Sequence, residues 1–214
     1  AGITYLRPER TAHLDPFRER GDAASGLLPG ILAAPPGAEG EGDARVQAYT
    51  FRVCLTDVPE NRVPIAQPPG YDAARYELLA RHLERHPRQT VGPQLFKLTP
   101  MPNRKTDSNN QGMFSTDFVG ASHGWATASD AERERLWQEH RDYVQGFFWF
   151  LQNDPRVPAD VREQAQRWGL PRDEFAGTGH WPEQLYVREA RRMRGHAVVT
   201  EHDCTGRVVA DDPV

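Results

Sequence analysis

The chain has 214 residues, with 26 Lys and Arg against 30 Asp and Glu, a formal net charge of −4. That length admits one or two domains, and the mildly acidic balance argues against a general nucleic-acid binder. Hydrophobic residues make up 38% and Gly and Pro number 18 each, so long connections are expected, while five Trp, six Tyr and nine Phe supply the core that a disordered chain lacks. No apolar run approaches the ~20 residues a membrane span needs, and no basic-then-apolar leader is present. Cys54 and Cys204 form no C-x-x-C pair, which argues against a zinc finger or a disulfide scaffold, and a single bridge between them stays open. The compartment is not legible. The sequence starts at Ala1-Gly2-Ile3 rather than Met, so a processed form or a piece of something longer is expected.

Residues 1–20 are polar, and 21–45 form a Gly/Ala/Pro stretch whose apolar patch (Leu27, Leu28, Ile31, Leu32) is expected to dock. Gly37, Gly40 and Gly42 follow G-x-x-G-x-G, reversed from the dinucleotide fingerprint, and no β-rich run precedes them. Residues 46–56 alternate, with Val46, Ala48, Phe51, Val53 and Leu55 predicting one half-buried strand face. A Pro-rich loop over 57–70 leads into a helix over 71–86, with Tyr76, Leu79, Ala80 and Leu83 inward and Pro87 as its stop. A second short strand is predicted over 94–99, then a polar, Asn-rich loop over 100–128.

The strongest helix signal follows. Ser129 and Glu132 form a capping box, and Leu136, His140, Tyr143, Val144, Phe147, Phe148 and Leu151 share one face of a helix over 130–153. Pro158 opens another helix, with Val161, Ala165 and Trp168 inward and Gly169 as its stop. Residues 180–204 favour extended structure with a turn at Gly195, and no internal repeat is present. The fold class is α+β: a small, mostly antiparallel sheet with about three helices and long loops.

Among the eight histidines, His82 and His86 share a helix face, but His82-Leu-Glu-Arg-His86 misplaces the glutamate of a zincin, so they read as solvated side chains. His140 reads as a hydrogen-bonded core histidine, and no metal site is expected. There is no G-x-S-x-G elbow and no P-loop. Cys54 reads as an inert buried thiol.

Two stretches are dense in functional chemistry. Lys105-Thr-Asp107-Ser-Asn109-Asn110 packs a cation, a carboxylate, hydroxyls and amides into one segment. It suits a polyhydroxylated or anionic ligand, or it is a turn-rich loop. The second runs from His180 through Tyr186, Arg188 and Glu189 to Arg192. If extended, it places Tyr186, Arg188 and Arg192 on one side, where two arginines clamp a carboxylate or phosphate, or form a solvated salt-bridge cluster.

The same stretches carry a resemblance. Tyr49-Thr-Phe-Arg-Val-Cys54-Leu-Thr-Asp57, Asn61-Arg62-Val-Pro64, Gly70-Tyr71-Asp72, Lys105 to Asn110, Phe114 to Asp117, Trp137-Gln-Glu-His140, Asn153 to Pro158, Trp168 to Pro171, Gln184 to Arg192 and Thr200 to Cys204 occur in family order. Over roughly residues 20–206 the chain resembles the middle portion of bacterial FAD-dependent oxidoreductases with a xanthan-lyase-like label. That resemblance implies a substrate or cap domain over 46–206, after a loop-rich segment (1–45) and before a tail (207–214). FAD belongs to the full-length protein, held by a flavin-binding domain whose Gly-rich strand–turn–helix these residues lack, so the chain alone is expected to be inactive and to hold no flavin. The resemblance places Lys105, Asp107, Asn109, Asn110 and Arg192 against a small polar or polyhydroxylated substrate, and Arg188, Tyr186 and His180 in catalysis, with Tyr186 or His180 as proton acceptor. Expected partners are the missing FAD domain and that substrate, with no nucleic acid and no membrane, and with self-association through the uncovered face. The alternative is a non-catalytic carbohydrate-binding or docking module that uses exposed Trp125 and Trp181.

Overall fold

The computed structural model describes residues 14–31, 33, 45–112, 114–188, 191 and 195–197. Its strands are β1 (Thr50–Phe51), β2 (Val53–Thr56), β3 (Arg62–Val63), β4 (Thr99–Met101), β5 (Lys105–Ser108), β6 (Leu170–Pro171) and β7 (Leu185–Tyr186). Its α-helices are α1 (Glu77–Arg85), α2 (Asp130–Asn153) and α3 (Ala159–Gln166). Every pairing among the described residues is antiparallel: β1 with β7, β2 with β5, β5 with β4, and β3 with β6. The α+β class with small antiparallel sheets and three α-helices matches the sequence reading.

The predicted strand over 46–56 is instead two strands. β1 pairs with β7 and β2 with β5, and the exposed Arg52 sits at the switch between partners. Phe51, Val53 and Leu55 do face inward, but Tyr49 and Thr50 are buried as well, so the alternation fails before Phe51. The strand expected over 94–99 is displaced. Val91–Leu95 form one wide helical turn and the strand falls at Thr99–Met101. A larger correction concerns the polar loop over 100–128. Its Lys105–Ser108 segment is the central strand of the three-stranded sheet, flanked on both sides by partners that satisfy its backbone groups. Composition pointed to a loop, and tertiary pairing overrode it.

Helix α2 is the central support of the core. Ser129 and Glu132 form the predicted reciprocal cap, and the seven predicted inward residues are all buried. Phe150 and Gly146 are buried too, so the C-terminal half of α2 is enclosed on more than one face. Tyr76 packs over it and donates from its hydroxyl to the Tyr143 carbonyl at 2.8 Å. Gly146 permits that approach, since a Cβ there meets the Tyr76 hydroxyl and lies 3.2 Å from Tyr71 Cδ2. His140 is fully buried: Nδ1–H donates to the Leu136 carbonyl at 2.6 Å and Nε2 accepts from Ser122 Oγ at 3.2 Å. Burial pushes its pKa down, which suits that neutral tautomer. Gly169 is not the stop of α3, whose cap is Arg167. Instead it exchanges backbone hydrogen bonds with Thr56 at 2.9 and 3.1 Å.

The N-terminal segment docks through Leu28, as expected of the apolar patch. Buried Arg81 clamps it by donating to the carbonyls of Asp15, Phe17 and Arg18 at 2.7–3.1 Å. Ile3, Leu32, the Gly37–Gly42 stretch, Cys204 and the tail lie outside the described residues.

Candidate functional site

Strand alternation turns Lys105 and Asp107 to one face of β5 and Thr106 and Ser108 to the other. On the first face lies an open cleft of about 590 Å³, lined by Arg52, Cys54, Met101, Lys105, Asp107 and Phe175 among others. Lys105 Nζ donates to Asp173 at 2.9 Å and also to the Glu174 carboxylate. Those two carboxylates hold the Lys105 ammonium well above its usual range, and Lys105 in turn pulls the Asp173 carboxyl down. Asp107 accepts from Arg52 Nε at 2.9 Å and from a second Arg52 nitrogen, a bidentate fork that raises the arginine further. Cys54 is half-buried and borders the cleft rather than lying fully buried in the core, and burial, then the nearby Glu174 charge, pushes its thiol pKa up, which keeps it the unreactive thiol expected.

The cleft is framed by strained backbone. Among the described residues, the non-glycine positions with positive φ are Asn103 (61°), Arg104 (54°), Phe175 (49°) and His180 (65°). Asn103 and Phe175 line the cleft, and Arg104 follows Asn103 in the same turn. His180 donates its backbone N–H to the Phe175 carbonyl at 2.8 Å. A bulky side chain in the left-handed region costs about 1–3 kcal/mol, and such positions cluster where ligands bind. Phe175 recovers little of that cost by burial, because it is 41% exposed, and Met101 across the cleft is 52% exposed.

The β1–β7 pairing brings the second predicted stretch to the edge of this cleft, with Thr50 opposite Tyr186. The Arg52 guanidinium lies 5.6 Å from the Tyr186 ring centre and the Arg188 guanidinium 5.1 Å from it. Arg188 also acts electrostatically on Asp117, whose Oδ2 accepts from Asn110 Nδ2 at 2.7 Å. Burial raises the Asp117 carboxyl pKa nonetheless, and its buried Oδ1 has no partner among the described residues. Asp107, Arg52, Tyr186, Arg188, Asp117 and Asn110 thus run as one polar strip.

The fold brings Lys105, Asp107, Asn110, Tyr186 and Arg188 into this strip and cleft. Asn109 is buried, and its carbonyl accepts from the Lys97 N–H at 3.1 Å, so its backbone braces the sheet edge. His180 stands on the loop that carries Glu174 and Phe175, with Nδ1 bonded to the Glu174 carbonyl at 3.1 Å. Arg192 lies outside the described residues. Arg52, Glu174, Phe175 and Asp117 were missed. Strand alternation identifies Arg52 as the exposed residue between Phe51 and Val53, but no sequence signal foretells its two partners. Trp181 is 1% exposed and Trp125 half-buried against Tyr49, which removes the exposed tryptophans of the carbohydrate-module reading. His82 is not solvated either: burial, then the neighbouring His86, lowers its pKa to about 4. No cluster of three or more His, Cys, Asp or Glu that could hold a metal occurs among the described residues.

The Gly-rich dinucleotide fold seats its diphosphate on an open helix N-terminus. Those of α1, α2 and α3 carry Glu77, Asp130 with Glu132, and Asp160 in their first turns, and α2 is closed by its own capping box. None of these three helix N-termini therefore fits the diphosphate end of FAD. The cleft instead fits a small polar ligand, with fixed donors and acceptors between two apolar side chains. No curated protein and no solved structure matches the chain. The model of the family described as FAD dependent oxidoreductase matches residues 7–214, nearly the whole sequence, and the chain belongs to that family.

Proposed function

We propose that this chain supplies the substrate-facing part of an FAD-dependent oxidoreductase, with residues 46–206 as the cap over the flavin, 1–45 as a packing segment and 207–214 as a tail. The flavin is held by another part of the same protein, and the chain alone is inactive. The observation that carries this reading is the cleft itself, where the paired charges of Arg52, Asp107, Lys105 and Glu174 lie beside Phe175, a bulky residue held in the left-handed region.

The chemistry of the cleft favours a polyhydroxylated substrate. Each cation is already matched by carboxylate: Arg52 by Asp107, and Lys105 by Asp173 and Glu174. A lone anion gains little there. A hydroxyl group both donates and accepts, so it suits interleaved carboxylates and cations. Phe175 and Met101 offer apolar faces to the C–H side of such a ring.

His180 is the better proton acceptor of the two candidates. Its Nδ1–H is committed to the Glu174 carbonyl, which leaves Nε2 with a free lone pair and no partner among the described residues. Arg188, whose guanidinium holds no carboxylate in an ion pair among the described residues, stabilises negative charge that develops on a ligand beside Tyr186. The redox chemistry belongs to FAD.

A visible absorption spectrum tests the division of labour. The 214-residue chain is incubated with FAD and desalted beside the full-length gene product. Flavin retained by the full-length protein alone is the expected result. Flavin retained by this chain overturns the assignment of the cofactor to another part.

A further inference from the structure

A second pocket lies apart from the cleft. It is a cavity of about 210 Å³ whose wall includes Phe114, Phe118, Val119 and Tyr143, with Arg75 beside them. Phe118 and Tyr143 stack with ring centres 4.2 Å apart and planes 7° from parallel, which fixes both rings in the pocket wall. Pro29 and Gly30 close one side, carried on the segment that Arg81 clamps to α1. The volume suffices for one aromatic ring, since a dry cavity of about 150 Å³ takes up benzene.

The charge at this pocket is what selects a ligand. The Arg75 guanidinium carbon lies 5.8 Å from the Phe118 ring centre. Among the described residues that guanidinium has no ion pair and no hydrogen bond, whereas Arg20, Arg52, Arg81, Arg104 and Arg156 each hold a carboxylate. A free planar fork beside an aromatic-walled cavity matches a ligand with a flat apolar body and one carboxylate.

We propose that this pocket binds a small aromatic carboxylate, ring against Phe118 and Tyr143 and carboxylate on Arg75. None of its lining residues belongs to the lining of the β2–β5 cleft.

Calorimetric titration of the 214-residue chain with phenylacetate, and with neutral 2-phenylethanol as the isostere, tests the proposal. Phenylacetate is expected to bind at least tenfold more tightly than 2-phenylethanol. Arg75→Met should remove that advantage, and Arg75→Gln makes the same comparison should the first variant not fold. Val119→Trp, which fills the cavity, should abolish binding of both compounds. No binding of phenylacetate, equal affinity for the two compounds, full affinity in the Arg75 variants, or binding that survives Val119→Trp would each overturn the proposal.

Discussion

The Arg52 guanidinium lies over the face of Tyr186. Its guanidinium carbon lies 5.6 Å from the tyrosine ring centre while two of its nitrogens grip Asp107. One residue at the switch between β1 and β2 therefore ties the two polar stretches together. Both ends of this link are partly exposed, with the Arg52 side chain 48% accessible. Its contribution to stability is accordingly small, about 0.2–1 kcal/mol. Its geometry is specific to arginine, because a point charge cannot serve a carboxylate fork and an aromatic face together. Arg52→Ala is expected to shift the denaturation midpoint only slightly and to lower kcat/KM of the flavin-loaded enzyme at least tenfold, with Arg52→Lys recovering little. Unchanged turnover in Arg52→Ala removes the residue from the site.

Asp117 carries a buried charge at a cost. Burial raises its folded pKa above the ordinary aspartate value despite Arg188 and Asn110. For an acid with a raised folded pKa, the favourable contribution is present below the unfolded value and is lost as pH rises through the folded value. Asp117→Asn mimics the protonated form. It should therefore be more stable than the parent at pH 7, with the difference shrinking below pH 4. Urea unfolding at both pH values checks this, and an equal loss of stability at both contradicts it.

Asp154 shows the opposite sign. Its carboxylate accepts from the Arg156 backbone N–H, Nε and one terminal nitrogen, and this pairing outweighs burial to hold the carboxyl below its ordinary value of 3.8. A depressed folded pKa contributes stability that is present above about 3.8 and lost as pH falls through the folded value. Acid unfolding of the parent should steepen below that point. Asp154→Asn should flatten the profile there and cost about 1–3 kcal/mol at neutral pH, since a charge-assisted network is removed. A profile of unchanged shape would show that Asp154 does not contribute to the acid transition.

Gly169 is a contact requirement. A Cβ there would lie 2.5 Å from Arg62 Cγ and 2.6 Å from the Val63 carbonyl oxygen, and the carbonyl belongs to the β3 backbone. Gly169→Ala is expected to cost about 1–3 kcal/mol by forcing β3 away from the chain that leads into β6. Thermal melting of the variant measures it, and an unshifted midpoint would contradict the close approach.

The parts of the fold legible in the sequence are those governed by local rules. The α2 cap, its buried face and the end of α1 at Pro87 follow from spacing and capping chemistry. β5 was not legible, because Lys105-Thr-Asp-Ser has the composition of a turn and becomes a strand only through partners on both sides. The same limit applies to the candidate site. Lys105 and Asp107 could be singled out by residue type, and Tyr186 with Arg188 by alternation. Their meeting depends on Arg52 and on the left-handed Phe175 loop, both set by long-range pairing.

The central claim is that the β2–β5 cleft receives a hydroxylated substrate for the flavin. Anaerobic bleaching of the flavin absorbance, with the full-length, flavin-loaded protein and a panel of sugars and polyols, tests it most directly. At least one polyol is expected to reduce the flavin in the parent, and Asp107→Asn, Lys105→Met and Phe175→Ala should each slow that reduction at least tenfold while flavin remains bound. Reduction at the parental rate in all three variants, or no reduction by any polyol, would contradict it.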